Sequence, residues 1–144
     1  MPVIEVADLV YEYPAKRALD GVSFTVMPQT VTALVGPNGA GKTTLMRCMA
    51  ALFPPYSGAV RIDGLDTVAC PREIHARLGY LPDFYGLYDD LSVRRILTFF
   101  ALSHGVDRQD VPTAAARAAE RVGLSDRMET PAGALSRGLR QRLA

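Results

Sequence analysis

The stretch Gly36-Pro37-Asn38-Gly39-Ala40-Gly41-Lys42-Thr43-Thr44 constrains this chain more than any other, because it fits the spacing G-x-x-x-x-G-K-[ST]. Each fixed position has a physical task. Glycines let successive backbone N–H groups turn inward around an anion, and a helix that follows adds the positive end of its dipole. At this spacing Lys42 supplies a point charge for β- and γ-phosphates, and the Thr43 hydroxyl is placed to ligate Mg²⁺. The flanks agree with that reading. Val31-Thr32-Ala33-Leu34-Val35 is apolar and β-branched, which predicts a strand buried on both faces. Leu45, Met46, Met49 and Leu52 at helical spacing predict a helix over residues 43–53, stopped by Pro54-Pro55. Strand, glycine loop and helix in that order form a phosphate cradle, so the chain is expected to hold a nucleoside triphosphate.

Composition narrows the setting. With 144 residues, 49% of them hydrophobic, the chain has enough apolar surface for a globular core. A net charge of +1 gives no reason to expect nucleic acid as a partner. Residues 1–90 carry 7 basic and 10 acidic side chains and residues 91–144 carry 9 and 5, a bias that fits a solvated helix surface. Cys48 and Cys70 lack metal or redox spacing, and Cys48 inside the expected helix reads as a small buried thiol. No signal-peptide pattern opens the chain. The uncharged stretch 21–41 contains two prolines and four glycines, so it is not a membrane span. A cytoplasmic protein without direct membrane insertion is expected.

Three regions follow one another. Strands are expected at residues 3–6 and 22–26, with a turn around Pro14, and at 58–64, closed by Asp63-Gly64. The phosphate-loop unit comes next, joined later by Leu78-Gly79-Tyr80-Leu81. From Leu91 the pattern is helical. Ser92 is the expected N-cap of a helix over 93–103 with Ile96, Leu97, Phe99 and Phe100 as its buried stripe, ended by Gly105. Pro112 opens a second helix over 113–122, followed by Gly123. These regions group into a β-rich part plus phosphate-loop core at 1–90 and a helical subdomain at 91–144.

Around the loop, further segments stand in the order of ATP-binding cassette (ABC) ATPases, and the resemblance covers essentially the whole chain. Ala18-Leu19-Asp20-Gly21-Val22-Ser23-Phe24 resembles the strand preceding the family's loop. Tyr13 matches the aromatic that stacks on adenine, with Tyr11 as a competitor for that role. Leu78-Gly79-Tyr80-Leu81-Pro82-Asp83 looks like the segment ending in the family's glutamine, here replaced by Asp83, which can ligate Mg²⁺. Leu135-Ser136-Arg137-Gly138-Leu139 looks like the signature L-S-G-G-Q: Ser136 and Gly138 match, while Arg137 and Leu139 depart from it. Residues 87–93 are similar to exporter-type members. The resemblance implies an α/β P-loop NTPase of the ABC ATPase type, with a β-rich N-terminal part and a helical insertion. It further implies ATP and Mg²⁺ as ligands, and a head-to-tail dimer in which Ser136 and Gly138 reach the partner's ATP. A separate membrane permease would hold the pair at the cytoplasmic face.

The sequence is also expected to stop before the Walker B strand, whose apolar run ends in Asp-Glu in the family. No such run follows Ser136, and Asp89-Asp90 precedes the signature. His75 and His104 precede it too, and suit solvent-facing or helix-end roles. No catalytic residue is therefore expected within this chain, Asp83 standing only at the position of the family's glutamine, and the chain alone is expected to bind ATP without hydrolysing it efficiently. Two alternatives stay open: a P-loop small-molecule kinase, and a non-transport, non-catalytic ABC-type ATP-binding protein.

Overall fold

Val6 and Leu9 are both buried although they stand three positions apart, a spacing that places side chains on opposite faces of a regular strand. The computed structural model, which describes residues 1–144, resolves this with a bulge. Asp8 takes a positive φ of 46°, and the register shifts between Val6 and Leu9, so both reach the same core. Strand β1 (Ile4–Tyr13) thereby continues through the strand-like stretch 2–10 and beyond the core run at residues 3–6. It turns over Pro14-Ala15 into β2 (Lys16–Val26), its antiparallel partner. On its other side lies β3 (Ser57–Ile62), also antiparallel, joined through Asp63-Gly64 to the short β4 (Leu65–Asp66). The sheet order is β2-β1-β3-β4. Gly58 lies opposite the bulge, where a Cβ would collide with the Asp8 carbonyl.

Helix α1 (Lys42–Met49) packs on this sheet through Leu45 and Cys48, which join Val6, Leu9, Leu19, Val60 and Ile62 in one buried cluster. It is shorter than expected. Leu52 N and Phe53 N both donate to Arg47 O, and Ala51 adopts a φ of 55°, so the chain leaves the helix before the prolines. Met46 and Leu52, read as part of the inward stripe, stand exposed. A short helix α2 (Pro71–His75) adds Ile74 to the core.

Residues 31–35 differ from the expected strand. They pair with no neighbour, and Val31 and Val35 are exposed. A strand is defined by ladder bonds to an adjacent strand, and the antiparallel sheet here offers none to this segment. Thr32, Ala33 and Leu34 instead border an apolar groove of about 480 Å³, whose other walls include Phe24, Leu45, Met46 and Met49. The stretch 78–81 likewise forms no strand.

The chain divides into two compact units, Met1–Tyr80 and Leu81–Ala144. The division falls ten residues before the expected 90/91 boundary, for an identifiable reason. Asp89 O and Leu91 O accept from Gly133 N and Ala132 N, and Asp89 pairs with Arg140 at 2.6 Å, so this loop is tied into the helical unit. There α3 (Val93–Ser103), α4 (Val111–Arg121) and α5 (Arg137–Leu143) enclose Val93, Ile96, Ala115, Ala119, Leu124 and Leu143. Ser92 caps α3 as expected and accepts from Arg95 N. Of its expected stripe, Ile96 is buried and Leu97 partly so, whereas Phe99 and Phe100 are exposed and meet each other edge to face.

Candidate nucleotide site

The phosphate loop is fixed from its C-terminal end. Gly41 stands immediately before α1 with φ 91°, and its Cα lies so close to β2 that a Cβ would collide with the Ala18 carbonyl. The same Cβ would sit 2.9 Å from Leu19 Cδ2. Sequence spacing identifies this glycine; the anchoring pair Ala18 and Leu19 is invisible in it, because it depends on how β2 folds back.

No side chain caps α1. In this it resembles α2 and α4 and differs from α3 and α5, whose first turns are capped by Ser92 and Ser136. The first-turn N–H groups of α1 therefore stay available as donors at the positive end of the helix. Lys42 Nζ donates to Gly36 O at 2.7 Å and to Pro37 O at 2.8 Å, which holds the ammonium across the loop. Those bonds use two of its three donors and leave one for an anion. Ala40 N closes the turn onto Pro37 O at 3.3 Å, and residues 36–40, including Asn38 and Gly39, are exposed. Uncapped N–H groups, an oriented ammonium and an open loop fit a phosphate chain.

Thr43 and Thr44 point to different places. Thr43 is exposed, as a hydroxyl offered to a solvated cation must be, whereas Thr44 is buried and its Oγ1 lies 3.2 Å from the Tyr13 hydroxyl. The structure thus sets Tyr13 beside the phosphate-loop helix, 39% exposed. Its ring stands at 71° to Tyr11 and 81° to Phe53, while Tyr11 and Phe53 stack on each other at 5.3 Å. Arg47 lies over the Phe53 ring, 5.3 Å from its centroid. Tyr11, the competing base stacker, is half-buried in this cluster and presents less free surface than Tyr13.

The other expected site residues lie in the helical unit. Asp83 is exposed and borders a cavity of about 490 Å³ with Phe84, Tyr85, Arg137 and Gln141. Arg137, one of the two departures from the signature pattern, thereby shares a cavity with Asp83, the departure at the glutamine position. Ser136 and Gly138 are exposed at the start of α5, where Ser136 Oγ accepts from Leu139 N at 3.4 Å. Thr43 and Asp83, the two expected Mg²⁺ ligands, fall in different units, and no group of three or more His, Cys, Asp or Glu side chains is assembled for a metal. Cys48 is fully buried, and desolvation pushes its thiol up to about 11. His75 Nε2 is 2.9 Å from Ala50 O, a structural contact at the end of α1, and His104 follows the last turn of α3.

Comparison with known proteins agrees with this geometry. The family model described as ABC transporter matches residues 19–144. The chain is 36% identical over 129 residues to the ABC transporter ATP-binding protein NatA of Bacillus subtilis, covering 89% of this chain and 52% of that protein. It is 38% identical over 143 residues to the probable multidrug ABC transporter ATP-binding protein YbhF of Escherichia coli, covering 98% of this chain and 25% of that protein. A solved structure of an ATP-binding subunit of an ABC transporter superposes with a TM-score of 0.83 at 28% identity, over 98% of this chain and 59% of that one. The chain therefore spans about half the length, or less, of the curated relatives it matches. With a family model across most of its residues, a solved ABC ATPase of the same fold and a phosphate loop of the expected form, the chain belongs to the ABC transporter family of ATP-binding proteins.

Proposed function

We propose that this chain is the ATP-binding part of an ABC transporter subunit, gripping ATP at residues 36–44 and coupling that grip to a separate membrane permease. The observation that carries the reading is the uncapped start of α1 beneath a lysine that keeps a free donor. In this arrangement Lys42 and the first-turn N–H groups bind the β- and γ-phosphates, and Thr44 and Tyr13 mark the path toward the base. Mg²⁺, when bound, would neutralise phosphate charge; Thr43 is the residue of the loop that would hold it, with Asp83 as a second candidate ligand. Ser136 and Gly138 would contact ATP on the opposite protomer of a head-to-tail dimer. The exporter-like stretch 87–93 supports outward transport. No helix of the chain is long and apolar enough to cross a membrane. The subunit is proposed to sit at the cytoplasmic face through its permease.

On its own the 144-residue chain is proposed to bind ATP without efficient turnover, since no apolar run ending in Asp-Glu follows Ser136 within it and Asp83 stands only at the glutamine position. The test is equilibrium titration of the purified chain with ATP and Mg²⁺, beside a phosphate-release assay. Lys42→Ala should weaken ATP binding at least tenfold, as expected for losing a charge-assisted contact. Unchanged binding by Lys42→Ala would refute the site. Robust Mg²⁺-dependent turnover by the unmodified chain, lost in Lys42→Ala, would refute the proposed dependence on further residues.

A further inference from the structure

We infer that Thr44 is a positioning residue for the base platform: its hydroxyl, through the bond to Tyr13, sets the orientation of the aromatic ring that receives the nucleotide base. This rests on the proposed ATP site and names a determinant of how that site distinguishes a nucleotide from bare phosphate.

Three observations converge on it. Thr44 is buried, and its hydroxyl has the Tyr13 hydroxyl as its hydrogen-bond partner, at 3.2 Å and across 31 positions of sequence. A buried hydroxyl strongly prefers a partner, so the bond holds the phenol at a defined point above α1. A hydrogen bond at the para position still leaves the ring free to swing about its own axis. That freedom is limited by the second observation: Tyr11 and Phe53 form a stacked pair, and the Tyr13 ring stands nearly perpendicular to both. Edge-to-face packing of this kind is the preferred arrangement for neighbouring aromatic quadrupoles. Third, Arg47 lies over the Phe53 ring. Arg47 is one turn beyond Thr43 and Thr44, so α1 grips the aromatic cluster at two points, the Thr44 hydroxyl and the Arg47 guanidinium. The helix whose first turn faces the phosphates is thus the element that aims the ring. Base and phosphate recognition become one rigid unit, with a fixed span between them.

The test compares ATP with inorganic tripolyphosphate, a probe that has the anion and no base. Tyr13→Phe keeps the π face and removes the hydroxyl. Its ATP affinity should fall by up to about tenfold, the most that the ring-ordering supplied by one neutral hydrogen bond can contribute, while tripolyphosphate binds as to the parent chain. Thr44→Val, equal in shape, should lower the ATP-to-tripolyphosphate ratio similarly, and the double variant should lower it no further. A parental ratio in Tyr13→Phe, with Tyr13→Ala reduced, would overturn the Thr44 link and leave the base platform standing. An unchanged ratio in Tyr13→Ala would instead overturn the placement of the base on Tyr13. If Thr44→Val does not fold, Tyr13→Phe alone decides.

Discussion

Replacing Gly41 by alanine tests how the phosphate loop is held, because the neighbouring Gly39 provides an internal control. Both glycines have positive φ, 82° at Gly39 and 91° at Gly41. A Cβ at Gly39 would meet nothing within 4 Å, so Gly39→Ala incurs only the backbone penalty of a left-handed conformation, about 1–2 kcal/mol. At Gly41 the same penalty applies, and the new methyl also collides with the Ala18 carbonyl and crowds Leu19 Cδ2 at 2.9 Å. The carbonyl belongs to β2, paired along its length with β1, and Leu19 is only 4% exposed, so neither can yield without disturbing the sheet. Forcing extra volume into such a contact costs about 1–3 kcal/mol more. Gly41→Ala should therefore destabilise by about 2–5 kcal/mol, a large part of the stability of a small domain. Urea denaturation followed by circular dichroism gives both values on one scale, and amide exchange at Ala18 and Leu19 reports whether β2 moves. Equal stabilities for the two variants would refute the claim that β2 anchors the loop.

Two other expectations rest on local features. Cys48, whose thiol is pushed from an ordinary value of 9.0 to about 11 by burial, should resist iodoacetamide at neutral pH while the partly exposed Cys70 reacts, as mass spectrometry of the digested adducts can show. The same shift fixes a sign with pH. Below 9 the thiol is protonated whether folded or unfolded, so it contributes no slope; between about 9 and 11 the unfolded chain loses the proton first, and stability should fall by up to about 2–3 kcal/mol. Cys48→Ala should remove that alkaline decline, and its persistence would assign the decline elsewhere. Ser92→Ala should cost about 1 kcal/mol by leaving Arg95 N without its cap, read as a lower denaturation midpoint; no change would mean the 3.4 Å bond is energetically idle.

The features legible in the sequence are those set by neighbours along the chain. Ser92 before an apolar-periodic run, Asp63-Gly64 between strands, Gly105 and Gly123 after helices, and the glycine-lysine-threonine loop all act within a few residues, and each stands where its chemistry placed it. Features that depend on distant partners were not legible. That residues 2–10 are strand-like is legible, but the bulge at Asp8 facing Gly58, which brings both Val6 and Leu9 to the core, is not. The composition of residues 31–35 is that of a buried strand, yet a strand needs a neighbour and none is adjacent. In α1, apolar spacing continued to Leu52, but the Ala51 turn ended the helix before that residue could face inward. At the site, the loop was readable as a motif. The Tyr13–Thr44 bond and the sharing of a cavity by Asp83 and Arg137 were not, since both join residues tens of positions apart.

The unpaired stretch 31–35 runs directly into Gly36, so the phosphate loop is a beam clamped at Gly41 against β2 and tied at Gly36 and Pro37 through the Lys42 ammonium, with no ladder bonds along the stem that leads into it. Such a beam is stiffened by anything that grips that stem. Fixing one residue's backbone costs roughly 1–2 kcal/mol, so any ordering of the stem that accompanies nucleotide binding is offset from the nucleotide's own contacts. A strand that paired with residues 31–35 would meet the cost in advance and tighten the grip on nucleotide. Reciprocity then requires the nucleotide to tighten that strand's hold by the same factor. The apolar stem makes nucleotide affinity a gauge of whatever lies against it.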